Sequence, residues 1–248
     1  VTEKRFDANV TYRVTGVDLT DTAIVLTLAD MQTLTEPFRR HVRLEKATPA
    51  EREQWRLTDD GHGVNWPKLW EPSSEGMVSV WAILQDRLYD AALARLKTAD
   101  WNMDAISPRD CDLVALWRAE ADINNGGFLQ FLGNWGICNH DTAVAALEAI
   151  GATVAASILR RMFNVVELHF AVGGIESISD IHDRLTEVDK EHLEKLDEAF
   201  WEYPDPLTRL VVQHYGREQA SGEGTRMITT TEITSRTDSH RLPQLPAG

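Results

Sequence analysis

Between residues 80 and 215 apolar side chains recur every third or fourth position, the pattern of helices with one buried face. Val80, Trp81, Leu84, Leu88, Ala92 and Leu96 share one face of the first such segment. Ser107-Pro108 with Asp110 starts the next, and Leu113, Leu116, Trp117 and Ile123 make its buried side. Gly126 and Gly127 interrupt the pattern, and Phe128, Phe131 and Leu132 resume it. Asn139 or His140 offers a cap for a helix through Ala143, Leu147 and Ile150, which Gly151 ends. Val154, Ile158, Leu159 and Met162 form another, and Gly173-Gly174 breaks the chain before two or three helices between Ser177 and Tyr215.

Ahead of residue 76 the pattern changes. Residues 8–30 read as strands, with Tyr12, Val14 and Val17 leading through the turn at Thr20-Asp21 into the β-rich run Ala23–Leu28. Leu34 to Leu44 extends the sheet, with Pro37 at an edge or bend. Thr48-Pro49-Ala50-Glu51 has the residues of a capped helix start, and that short helix runs through Trp55. Asp59-Asp60-Gly61-His62-Gly63 then turns the chain, and His62 is expected to be an exposed turn histidine. The expected fold class is α+β: a small N-terminal α/β module with a short sheet (1–75), then a larger all-α acidic domain (76–217). Residues 218–248, rich in Gly, Ser, Thr and Arg, read as a largely disordered tail, with strand propensity confined to Met227–Ile233.

Charge sharpens this division. The net charge is −14, and residues 77–217 supply 22 acidic against 12 basic side chains. Such a field repels nucleic acid and membranes and attracts basic partners; plain solubility is the alternative. No apolar run reaches the ~18 residues of a membrane span, and no signal-peptide pattern is present, so a cytoplasmic protein is expected. Cys111 and Cys138 are far apart and read as free thiols.

Chemistry is sparse. The chain carries no phosphate-binding loop, dinucleotide fingerprint, His-Glu-x-x-His or Gly-x-Ser-x-Gly motif, so no catalytic residue, metal or cofactor is assigned. The pattern worth using lies near residues 187–205. Glu187, Glu191, Glu194, Glu198 and Glu202 fall on one stripe of an α-helix, with carboxylates ~5–6 Å apart along the axis. Val188, His192, Leu196, Ala199 and Tyr203 share the opposite side, widened by Leu193 and Phe200. A DNA strand presents a phosphate every ~3.4 Å, so Asp189, Asp197 and Asp205 would have to fill in a phosphate-like row. The plainer reading is a solvated face softened by Lys190 and Lys195.

Two resemblances bear on function. Arg43–Leu57 followed by Gly61-His-Gly-Val-Asn-Trp-Pro67 resembles a short bacterial α/β domain of uncharacterised function, covering about residues 8–75. Glu120–Phe131, with Asn124-Asn125-Gly126-Gly127-Phe128 at its heart, then Ala145–Ala152 and Leu193–Trp201, resembles the bacterial DNA-mimic protein family over about residues 86–216. That likeness implies a non-enzymatic, homodimeric protein whose surface carboxylates engage a basic DNA-binding protein or transcription regulator, without binding nucleic acid. Glu187, Glu191, Glu194, Glu198, Glu202 and Asp205 are the expected protein-binding residues, and the Asn-Asn-Gly-Gly-Phe run is expected to determine the fold. The alternative is an antitoxin- or immunity-like protein that neutralises its partner through the N-terminal module.

Overall fold

The computed structural model describes residues 7–69, 76–171 and 178–216. The Gly173-Gly174 break, the run Glu71 to Glu75 and the tail with Met227–Ile233 lie outside the described residues.

The first sheet is an antiparallel meander of β1 (Val14–Leu19), β2 (Ala23–Leu28) and β3 (Thr33–Pro37). Its inner face carries Ile24, Leu26, Leu28 and Leu34, all fully buried. Residues 8–11 are not strand but a helical turn, α1 (Ala8–Thr11), because the Asp7 carboxylate accepts from Asn9 N–H and caps it. Pro37 ends β3, and the chain passes through a tight turn at Phe38–Arg40 into α2 (Val42–Lys46) rather than continuing the sheet to Leu44. Thr48 and Glu51 exchange the two bonds of a capping box at the start of α3 (Pro49–Arg52). That helix stops short of Trp55. The Trp66 indole N–H donates to the Arg52 carbonyl at 2.6 Å, taking the acceptor that a further turn would need.

A second antiparallel sheet joins β4 (Arg56–Leu57), β5 (Gly63–Asn65) and β6 (Met77–Ser79), and β6 runs directly into α4 (Val80–Thr98). His62 is buried, not exposed as expected of a turn. Its ring stacks on Trp81 at 4.8 Å and its Nε2 lies 2.8 Å from the Asn9 carbonyl, so the turn is a packing element. Arg209 and Gln213 donate to the Asn9 side chain, and Arg40 bridges buried Glu36 to Asp86. One contiguous buried cluster runs from Ala8 to Tyr215.

The helical part is α5 (Pro108–Ala149), α6 (Thr153–Ala171), α7 (Ile178–Arg184), α8 (Glu187–Trp201) and α9 (Leu207–Tyr215), with α5 packed on α4, α6 and α8. Val154 is largely exposed, and Ala155 takes its expected place beside Ile158, Leu159 and Met162 in the core. The second cap signal is displaced as well. Helix α5 breaks at Gly136 (φ 73°, ψ −179°), and His140 lies buried with its Nε2 3.2 Å from the Leu159 carbonyl and its ring stacked on Phe163. Gly151 follows the end of α5, where the sequence places the stop.

The first break is at Gly126-Gly127. Gly127 has φ 81° and ψ 178°, a region that is essentially glycine-only. A Cβ there would stand 2.6 Å from an Asp197 carboxylate oxygen of α8. Gly136 has nearly the same backbone angles, but nothing lies within 4 Å of its notional Cβ. The two positions separate backbone strain from steric exclusion. Gly136→Ala is expected to cost about 1–3 kcal/mol for strain alone, and Gly127→Ala clearly more. Urea denaturation followed by circular dichroism measures both; equal losses would refute the close approach of α8 as the reason for the second glycine.

Candidate protein-binding face

Helix α8 begins with a capping box in which Thr186 and Asp189 satisfy each other's backbone donors. The Thr186 hydroxyl, which donates to the Asp189 carboxylate at 2.7 Å, and then the Thr186 N–H hold that carboxyl below the usual range. Leu193, Leu196 and Phe200 enter the core. Val188 is 75% exposed and Tyr203 50%, and His192 is exposed too, so the buried seam is narrower than the sequence pattern suggests. The main contacts of α8, with α5 and α6, cover one edge of the apolar side, and Val188, His192 and Tyr203 stay in solvent.

Glu187, Glu191, Glu194, Glu198 and Glu202 all face solvent. Lys190 pairs with Glu187 at 3.0 Å and Lys195 reaches Glu191 at 4.0 Å, exposed contacts of little energetic weight. Among the described residues, Glu194, Glu198 and Glu202 have no basic partner.

The acids expected to fill in the row are committed elsewhere. Asp189 caps its own helix. The half-buried Asp205 accepts from Ala155 N–H at 2.8 Å, at the N-terminus of α6. Asp197 points inward and accepts from Phe128 N–H at 2.8 Å, the donor left open where α5 restarts. Burial raises its carboxyl to about 6, with the Phe128 bond opposing and nearby Glu194 adding to the rise. One turn later, Trp201 Nε1–H donates to the Ile123 carbonyl at 2.9 Å, on the other side of the break. Asn124 donates to the Tyr203 hydroxyl at 2.8 Å. Asn125 and Gly126 are exposed, and Phe128 is fully buried. The signature thus shapes the junction of α5 and α8.

Two further inward carboxylates were hidden in the same run. Asp122 accepts from Gln130, Asn134 and Trp135, and the Arg118 guanidinium lies 3.8 Å over the Trp135 ring. Glu120 accepts from the Tyr89 hydroxyl at 2.6 Å and from Gln85 at 3.0 Å. Burial pushes the Glu120 carboxyl up to about 7 against those two bonds, with Asp86 adding to the rise. Beside it lies a cavity of about 10 Å³ lined by Tyr89, Leu116, Phe200 and Val211, room for one water at most. For Glu120 and Asp197 a signal existed in the sequence. Glu120 occupies the apolar stripe Leu113-Leu116-Ile123, and Asp197 occupies Leu193-Leu196-Phe200.

Among the described residues no group of three or more His, Cys, Asp or Glu is placed to hold a metal ion, and no helix is long and apolar enough to cross a membrane. Cys111 and Cys138 are free thiols.

Residues 104–219 match the family model of DMP19-like proteins, and residues 14–71 match that of a protein of unknown function (DUF2442). These are the two resemblances read from the sequence, on overlapping stretches, with the second beginning at residue 104 rather than about 86. Neither family description names an enzymatic activity. No curated protein and no solved structure matches the chain.

Glu120 and Asp197 both hold their protons more tightly folded than unfolded. Their contribution to stability is therefore complete below about pH 4 and is lost as pH rises through 6 and 7. Glu120→Gln, which keeps an acceptor without a charge, is expected to flatten the fall in Tm between about pH 4 and 7. An unchanged slope relative to the native chain would remove Glu120 as its source.

Proposed function

We propose that the protein is a non-enzymatic acidic binding protein, DNA-mimic-like, that engages a basic DNA-binding protein or transcription regulator through α8. The observation that carries this reading is the division of labour on α8. Asp189 and Asp197 satisfy backbone donors of the protein itself, one at the helix start and one at the seam, and five glutamates at helical spacing project outward. The match of residues 104–219 to the DMP19-like family supports it.

The row of glutamates is sparser than a phosphate backbone, at ~5–6 Å against ~3.4 Å. Glu187, Glu191, Glu194, Glu198 and Glu202 carry the charge, with Asp205 at its margin. Complementary charge on the partner speeds association and makes it salt-sensitive. A homodimer, as the family likeness implies, would double the row and extend its reach. The N-terminal module is tied to the helices through His62, Asn9 and Arg40. Truncating it would uncover Trp81, so its own role is tested by substitutions on its surface.

The full chain, immobilised and exposed to an extract of the source cell, is expected to retain a basic protein at low salt and release it at high salt. Replacing the five glutamates by glutamine should reduce retention by at least about fivefold, given ~0.2–1 kcal/mol per rim charge. Capture of no basic partner at low salt, or retention indifferent to the five substitutions, would defeat the reading.

A further inference from the structure

The end of the acidic stripe carries two aromatic rings that the fold exposes and fixes at the same time. Trp201 is 44% exposed, yet its indole N–H is held by the Ile123 carbonyl. Tyr203 is 50% exposed, with its hydroxyl bound by Asn124. Tyr203 also has φ 48°, the left-handed conformation that helix ends usually assign to glycine. A bulky aromatic side chain is therefore retained at a position where it is conformationally unfavourable. It ends half in solvent.

The surrounding charges say what such rings suit. Glu198 precedes Trp201 by three residues, one helical turn along the same face, and Glu202 lies between the two aromatics. Both carboxylates are exposed, and neither has a basic partner among the described residues. A planar cation satisfies both features together. A guanidinium stacks on an aromatic face and directs its N–H fork to a carboxylate, whereas an ammonium is more strongly hydrated and has no such fork. The rings lose little entropy on binding because their polar ends are already anchored.

We propose that Trp201, Tyr203, Glu198 and Glu202 form an arginine-reading anchor at the C-terminal end of α8, where an arginine of the basic partner docks. This rests on the carboxylate reading of α8 and adds to it a fixed contact point. The rest of the stripe contributes diffuse attraction, and this end sets the register and prefers arginine over lysine.

The test uses two labelled peptides of equal length and charge, one of alternating arginine and glycine and the other of alternating lysine and glycine. Each is titrated against the full chain at low salt by fluorescence anisotropy. The native chain is expected to bind the arginine peptide about three- to fivefold more tightly. Trp201→Leu with Tyr203→Leu should abolish that preference in a chain whose circular dichroism is unchanged. Glu187→Gln with Glu191→Gln, at the far end, should weaken both peptides alike and leave the preference intact. Should the aromatic variant not fold, Trp201→Phe with Tyr203→Phe keeps both rings and is expected to keep the preference. Equal affinities for the two peptides in the native chain, or a preference that survives loss of both rings, would overturn the anchor while leaving the carboxylate reading standing. Binding of neither peptide would overturn both.

Discussion

A helix that stops and restarts inside a core leaves backbone donors and acceptors unpaired, and each must find a partner where water is scarce. In this protein the break in α5 at Gly126-Gly127 is closed from one side by α8. Asp197 takes the Phe128 N–H and Trp201 gives its indole proton to the Ile123 carbonyl. The Asp197 carboxylate sits where any side chain on residue 127 would stand. The orientation of α8 therefore depends on a glycine seventy residues earlier in the chain. So does the outward direction of its glutamates.

The same helix shows how one residue type serves opposite ends. Asp189 lies at the first turn, Asp197 faces the seam, and the five glutamates face water. Burial at the seam raises the proton affinity of Asp197. Glu120 repeats the theme on α5, held by neutral donors from Tyr89 and Gln85 rather than by a cation. Buried carboxyl groups with neutral partners give up stability as they ionise, the opposite of Asp110, which against its burial Arg95 and Ser107 hold in its charged form.

The N-terminal sheets bear on the helical bundle through specific contacts. The third strand of the second sheet opens directly into α4, and His62 stacks on Trp81 in the first turn of that helix. Arg209 and Gln213 reach back from the last helix to Asn9 near the beginning of the chain. Position 62 illustrates why sequence composition misleads: a histidine between glycines has the local character of an exposed turn. Its burial comes from an aromatic ring contributed by another element.

Local physics was legible without coordinates. Helical periodicity located the bundle helices, the capping box marked the start of α3, and the five-glutamate stripe emerged on the solvent side of α8, because each depends on residues within a few positions of one another. The sequence also located the glycine breaks and the two family likenesses. What it did not determine was which groups meet across elements. That Asp197 seals the restart of α5, that Asp205 caps α6, that Trp66 cuts α3 short and that His140 is buried against Phe163 are contacts between residues far apart in the chain. An acid in solvent and an acid in a seam have the same local propensities. Only the tertiary structure sets the dielectric and the hydrogen-bond partners that distinguish them, and it thereby decided which carboxylates hold the fold together and which remain free to bind.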